Sequence, residues 1–277
     1  MSVNLAALAP SIFLSKNYVN GDANDAGAFQ ASSGDSYKHR VYDMDRDSYW
    51  VSVGSSDAVE ESLVIGLYEG SYQTSRTIDF VALMGINLKR FLLEYSNDDG
   101  ATWTTVPGAD YSAADYAADN LILSLASSIT ANKLRLTMYS TQTANEEKQV
   151  AEIIAALVSV QTAYTFSEYD PDLTPTIKEV RMADGSIDYG VVRRSDSSFH
   201  FYSADVKWEF MSSANKESLF TIAKSAEPFL WYPEPGDNPD EIYLCRFKPG
   251  SLKARYSIKY RAVGYTVSAV IQEVGGC

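Results

Sequence analysis

The feature that most restricts this chain is a series of short runs: SYWVSV, SLVIGLY, TIDFVALMG, RFLLEYS, TWTTV, NLILSL, KLRLTMY and VAEIIAALVSV, within residues 48–160. Successive strand side chains point to opposite faces, so runs rich in Val, Thr, Tyr and Phe suit a pleated, half-buried surface. Between them, NDDG (97–100) and VPGAD (106–110) supply turns, because Asn and Asp tolerate the left-handed region and Gly adopts positive φ freely. Strands at roughly ten-residue spacing with few helix caps predict a mainly β fold whose first 163 residues form a β-sandwich or barrel.

The segment TFSEYDPDLTPT (165–176) has two prolines, three acids and little apolar content, and a linker is expected at 164–176. Residues 177–277 resume with IKEVRM, DYGVVRR and SFHFYSADVKWEF, and a second β-sandwich or barrel domain is expected there. The period then changes. In SSANKESLFTIAKSAEPF, Leu219, Ile222, Ala223 and Ala226 fall on one helical face, Ser212 or Ser213 can cap the start, and Pro228 stops the run. One short α-helix is predicted at 213–226. After an acidic, proline-broken loop, EIYLCRF and LKARYSIKYRAV are joined by KPGS. There Pro249-Gly250 suits the centre of a type II turn and predicts a hairpin. In the second of those strands Arg255, Ser257, Lys259 and Arg261 share one face.

Composition narrows the function. The 277 residues carry a net charge of −13, which repels a nucleic-acid backbone, so no specific nucleic-acid partner is expected. The two cysteines, Cys245 and Cys277, cannot make a disulfide framework, and Cys245 alternates with Tyr243 and Phe247 as a small core residue. No basic residue precedes the short N-terminal apolar run, so a signal peptide is not expected, and folding in a reducing cytoplasm is. No apolar run reaches the ~18 residues of a membrane span. The only histidines are His39 and His200, and the motifs GxSxG, Walker A, GxGxxG, HExxH and CxxC are all missing. The expectation is a non-enzymatic protein that requires no cofactor.

The stretch VYDMDRDSYW (41–50) places Asp43, Asp45 and Asp47 at alternate positions. Counted as an EF-hand loop from Asp43, its sixth and twelfth positions hold Ser48 and Gly54 where glycine and glutamate are needed, and that reading fails. Read from the residues alone, the aspartates form Asx-type turns and Trp50 plugs a core. The same stretch, with Asp43, Asp45, Ser48 and Trp50, resembles the early loop of discoidin-like (coagulation-factor type C, galactose-binding-like) modules, Met44 standing where that family has glycine. DFVALMGINLKRFLLEYSNDDGATWTTV is similar to the family's central stretch at Asn87, Glu94, Tyr95, Ser96, Asp99, Gly100 and Trp103. KLRLTMY and QVAEIIAAL resemble its last two strands. The resemblance implies a jelly-roll β-sandwich, and a structural Ca²⁺ held by Asp45, Ser48 and Glu152 with Asp43 nearby. It also implies sugar binding, for which the loop residues Tyr37, His39 and Arg40 are candidates.

Residues 177–277 resemble the tube-type domains of bacteriophage tail proteins, the distal-tail and tail-tip adaptors above all, through ADVKWEFMSSANKESLFTIAKSAEPFLWYPEP and RYSIKYRAVGYTVSAVIQEV. This implies a structural virion protein, a ring-forming homo-oligomer of the tail or baseplate that is assembled in the host cytoplasm with other tail proteins. The basic positions Arg255, Lys259 and Arg261 would then meet Glu234, Asp237, Asp240 and Glu241 of the next copy, since complementary faces fix orientation. The same charges also suit a solvated surface or pairing within one chain. The alternative function is a carbohydrate-binding module protein for adhesion to cell-surface glycans.

Overall fold

The structure, a computed structural model, describes residues 11–14, 17–19, 29–43, 48–54, 57, 59–69, 72–73, 75–162, 179–181, 187–189, 203–225, 229–232, 242–259 and 262–273. The protein is mainly β, in two units: Lys16–Val158, and Ser159–Gly275 together with Met1–Ser15. The second unit is therefore discontinuous. Its first strand, β1 (Ser11–Leu14), belongs to the sheet of the C-terminal residues, whereas the sequence reading assigned residues 1–163 to a single domain. Four residues are too few to show a period, and nothing local names a partner so distant in sequence. The expected linker, 164–176, lies outside the described residues.

In the Lys16–Val158 unit the chain runs through β2 (Gln30–Ala31), β3 (Trp50–Val51), β4 (Glu61–Gly66), β5 (Tyr68–Glu69), β6 (Tyr72–Gln73) and β7 (Arg76–Met84). It continues through β8 (Leu88–Ser96), β9 (Thr104–Asp110), β10 (Leu121–Ala131), β11 (Lys133–Thr141), β12 (Gln149–Val150) and β13 (Glu152–Ala156), and β14 (Val158–Thr162) follows. One sheet has the order β2-β4-β11-β8-β9 and a second β10-β7-β13, with β3-β12 and β5-β6 as small ribbons. Leu63, Ile65, Phe91, Leu93, Leu134 and Leu136 of the first sheet share one core with Ile78, Val81, Leu83, Ile153 and Ala155 of the second, the arrangement of a jelly-roll β-sandwich. Burial alternates along Glu61–Ile65 of β4 and Phe91–Glu94 of β8, but all five residues of β13 are buried, in keeping with the apolar run Ile153–Ala156. Trp50 is fully buried in this core, as the aspartate-run reading expected.

The NDDG turn is built as its chemistry predicts. Asp99 and Gly100 adopt φ of 62° and 91°. Hydrogen bonds from Thr102, its hydroxyl (2.6 Å) and amide (2.9 Å), with a further one from the Ser96 hydroxyl, hold the Asp98 carboxyl down to about 2. A second clamp joins loops far apart in sequence. Asp57 accepts hydrogen bonds from the Thr141 hydroxyl (2.6 Å) and amide (3.0 Å) and from the Asn145 amide (3.3 Å). Beside it the fully buried Lys148 donates to the Val59 carbonyl at 2.8 Å. The Thr141 bonds, helped by Lys148, lower the Asp57 pKa. Its stabilising contribution is therefore complete above the unfolded carboxylate value of about 3.9 and disappears as pH falls through the lower folded value. Asp57→Asn is expected to cost about 1 kcal/mol at pH 7 and less at pH 2, read by urea unfolding at both pH values.

The other unit has β15 (Glu179–Arg181), β16 (Ile187–Tyr189), β17 (Ser203–Met211), helix α1 (Ser213–Ser225), β18 (Phe229–Tyr232), β19 (Tyr243–Phe247), β20 (Lys253–Lys259) and β21 (Ala262–Glu273). Its main sheet has the order β14-β1-β18-β19-β21-β17, with β20 also on β21, and β15 pairs β16. Helix α1 starts where expected: the Ser212 hydroxyl accepts the Asn215 amide at 3.1 Å, and Leu219 and Ile222 enter a core with Trp208, Trp231, Cys245 and Val267. Pro249-Gly250 forms its turn, with Gly250 at φ 74° and the Ser251 amide on the Lys248 carbonyl at 3.0 Å, but it does not make the predicted hairpin. Instead β19 and β20 both pair with β21, Arg246 opposite Gln272 and Lys253 opposite Ser268. A type II turn splays strands that a primed turn would keep twisted together, and the twelve-residue β21 is long enough to serve both. The chain also reverses between Lys259 and Ala262, which are register partners, so LKARYSIKYRAV is not one strand.

Candidate functional site

The three residues nominated for sugar contact lie together on the 3₁₀ turn Asp35–Val41 at the rim of the sandwich. Gly34 precedes the turn at φ 61°, a left-handed conformation that lets its backbone approach Val51 closely. The Tyr37 amide closes on the Gly34 carbonyl at 3.0 Å, and the Lys38 ammonium reaches the Phe29 carbonyl at 3.4 Å. Arg40 is anchored through Nη1 to the Tyr49 carbonyl at 3.2 Å, and its guanidinium lies 4.5 Å from the centre of the Tyr37 ring. Tyr37 keeps 46% of its surface exposed and His39 is also exposed. An aromatic ring, a guanidinium whose planar fork has five donors, and an imidazole thus stand side by side on a short, braced turn.

A second cluster, on the outer face of the β2-β4-β11-β8-β9 sheet, was not nominated from sequence. Glu94 and Arg135 are register partners, and Arg135 donates from Nε (2.8 Å) and Nη2 (2.6 Å) to one carboxylate oxygen of Glu94. The same guanidinium lies 4.4 Å from the Trp103 ring. Burial, then the charges of Glu60, Glu94 and Asp110, raises the pKa of nearby Tyr139, so Arg135 is a cation in an otherwise acidic patch. The signal available in sequence was parity alone: Glu94 and Arg135 occupy the polar positions of alternating strands.

The residues nominated for calcium fall differently. Ser48 is buried and its hydroxyl donates to the Asp43 carboxylate at 2.9 Å, a side-chain bond within the loop, and Glu152 is buried in β13. Asp45 lies outside the described residues. Among the described residues no three His, Cys, Asp or Glu side chains converge on one point. Of the nominated contact residues of the other unit, Arg255 is exposed on β20, and Lys259 ends that strand. Arg261, Glu234, Asp237, Asp240 and Glu241 lie outside the described residues, as does His200. No helix among the described residues is long and apolar enough to cross a membrane.

Fold and rim define the class: a mainly β protein with a jelly-roll sandwich bearing a braced aromatic-cationic turn. About half of the chain is similar to solved carbohydrate-binding modules. Chitosan-binding module 1 of a chitosanase/glucanase from Paenibacillus sp. IK-5 is 18% identical, covering 50% of this chain and 98% of its own, with a TM-score of 0.40. Chitosan-binding module 2 of the same enzyme, in complex with chitotriose, is 21% identical over 47% of this chain and 95% of its own (TM-score 0.38). The family 32 carbohydrate-binding module of Streptococcus pneumoniae EndoD is 16% identical over 51% and 99% (TM-score 0.37). No protein-family model matches the sequence, and no curated protein does.

Proposed function

We propose that this is a non-catalytic carbohydrate-binding protein whose sandwich unit engages a glycan at the Tyr37–Arg40 turn. The observation that carries the reading is the half-exposed Tyr37 ring held against the anchored Arg40 guanidinium. Sugar rings present apolar C–H faces flanked by hydroxyls. An exposed aromatic face buries the former, and guanidinium and imidazole donors orient the latter. A braced backbone lowers the ordering cost of binding. On a broad glycan array, followed by calorimetry on the hits, Tyr37→Ala and Arg40→Ala are each expected to weaken binding by roughly tenfold, about 1.4 kcal/mol, with the circular-dichroism spectrum unchanged. Silence of the unaltered protein across the array would overturn the reading.

The second reading, a ring-forming structural component of a phage tail, is favoured by one observation. The seven-residue strand β20 pairs only with β21 among the described strands, and an edge strand is a place where a second chain can add. It predicts a closed oligomer by light scattering at micromolar concentration; a monomer at every concentration, alone and with tail partners, excludes it.

A further inference from the structure

We propose that the outer face of the β2-β4-β11-β8-β9 sheet carries a second carbohydrate contact, built on Trp103, Arg135 and Glu94, that holds an internal stretch of a neutral glycan through its vicinal hydroxyls. The site begins with the NDDG turn. Asp98 accepts both the hydroxyl and the amide of Thr102, which fixes the chain immediately before Trp103. Lys133 of β11 fastens the same turn to the sheet, donating to the Asp99 carbonyl at 3.1 Å and pairing with its carboxylate at 2.8 Å. Gly100 lets the indole lie close against the turn, since a Cβ there would press on the ring at 3.3 Å. Two residues beyond Lys133, Arg135 stands on the outward side of β11, because Leu134 and Leu136 are buried in the core. Its guanidinium is 4.4 Å from the centre of the Trp103 ring.

The ion pair in this seat leaves much of its hydrogen-bonding capacity unused. Arg135 spends Nε and Nη2 on one oxygen, Oε2 of Glu94, so three of the five N–H donors of a guanidinium remain, two of them on Nη1. Oε1 of Glu94, Nε1 of Trp103 and the Tyr139 hydroxyl also have no hydrogen-bond partner among the described residues, and none of these atoms is sealed from solvent. The row continues across the sheet, with half-buried Val64 opposite Arg135 and exposed Thr105 opposite Glu94.

These free valences identify the ligand. Glu94 meets the charge of Arg135, so the pair offers hydrogen bonds and not a net charge. N–H donors beside a carboxylate acceptor match two neighbouring sugar hydroxyls, each of which both donates and accepts. The half-buried indole can cover the apolar C–H face of the same ring. A peptide adding as a strand needs an unpaired strand edge, whereas β11 and β8 are each paired on both sides. A sheet face has no closed end, which suits the interior of a sugar chain over its terminal residue. The contact is built from other residues than the Tyr37–Arg40 turn and does not depend on it.

Trp103 itself reports on the site. Of the four tryptophans, Trp50, Trp208 and Trp231 are buried, so the fluorescence that acrylamide quenches comes mainly from Trp103. Cellotetraose, maltotetraose, mannotetraose and xylotetraose are titrated against that quenching in the full chain, with tetraethylene glycol, which has ether oxygens but no diol, as control. Saturable protection by at least one tetrasaccharide and not by the glycol is expected, with quenching reduced about twofold. The protection is expected to persist in Tyr37→Ala/Arg40→Ala. It should need at least about tenfold more sugar in Arg135→Lys, which keeps the charge and loses the planar fork, and in Glu94→Ala, each with an unchanged circular-dichroism spectrum. No protection by any tetrasaccharide, equal protection by the glycol, or protection unchanged in both variants overturns the proposal. Protection that vanishes in Tyr37→Ala/Arg40→Ala also overturns it, and assigns the sugar to the rim turn alone.

Discussion

Trp50→Ala is expected to remove about 3–5 kcal/mol of stability, measured by urea unfolding, which is a large part of what a domain of this size possesses. The indole is fully buried, and its strand β3 is held by β12 through Trp50 opposite Val150. Truncation therefore loses transfer free energy and leaves a cavity in the sandwich core that paired backbone cannot collapse to fill. Trp50→Phe is expected to cost far less, about 1–2 kcal/mol. The indole Nε1–H is buried without a hydrogen-bond partner among the described residues, so the phenyl ring sacrifices volume and no bond. A Trp50→Ala protein within 1 kcal/mol of the parent would contradict the assignment of Trp50 to the sandwich core.

Gly34→Ala is expected to cost about 2–4 kcal/mol and to abolish the glycan binding proposed for the neighbouring turn. Two effects act together. The backbone at φ 61° disfavours any side chain, and a Cβ there would stand 2.2 Å from the Val51 carbonyl oxygen and 3.1 Å from the Trp50 Nε1. The first contact is with backbone, so β3 or the turn has to move, and Tyr37 and Arg40 ride on that turn. Because Gly34 and Trp50 touch, their substitutions are expected to be non-additive. Measured by urea unfolding, Gly34→Ala should cost less in the Trp50→Phe background than alone, since the phenyl ring vacates the space beside the new methyl group. Equal costs in both backgrounds would place the strain wholly at Val51.

Parts of the site differ in how legible they are in the amino-acid sequence. Tyr37, His39 and Arg40 were legible because they are adjacent in sequence and share one turn, but the stacking of Arg40 on Tyr37 and its anchor at Tyr49 were not. The Trp103, Arg135 and Glu94 cluster was invisible as a cluster, since its members come from β11, β8 and the loop before β9. Chain position also misled. Arg255 and Arg261 were placed on one strand face, yet the chain reverses between Lys259 and Ala262.

Local chemistry alone determined the β class, the α1 helix with its Ser212 cap, the left-handed NDDG and Pro249-Gly250 turns, and the burial of Trp50 and Cys245. Each of these depends on side-chain period or on backbone preference within a few residues, and short-range interactions are written directly in the order of amino acids. Tertiary structure decided that β1 joins β18, that β21 serves both β19 and β20, and that Lys207 and Lys253 flank Ser268. Those outcomes are matters of strand partner and register, which are selected by how whole faces fit together across the sheet, and no single segment carries that information.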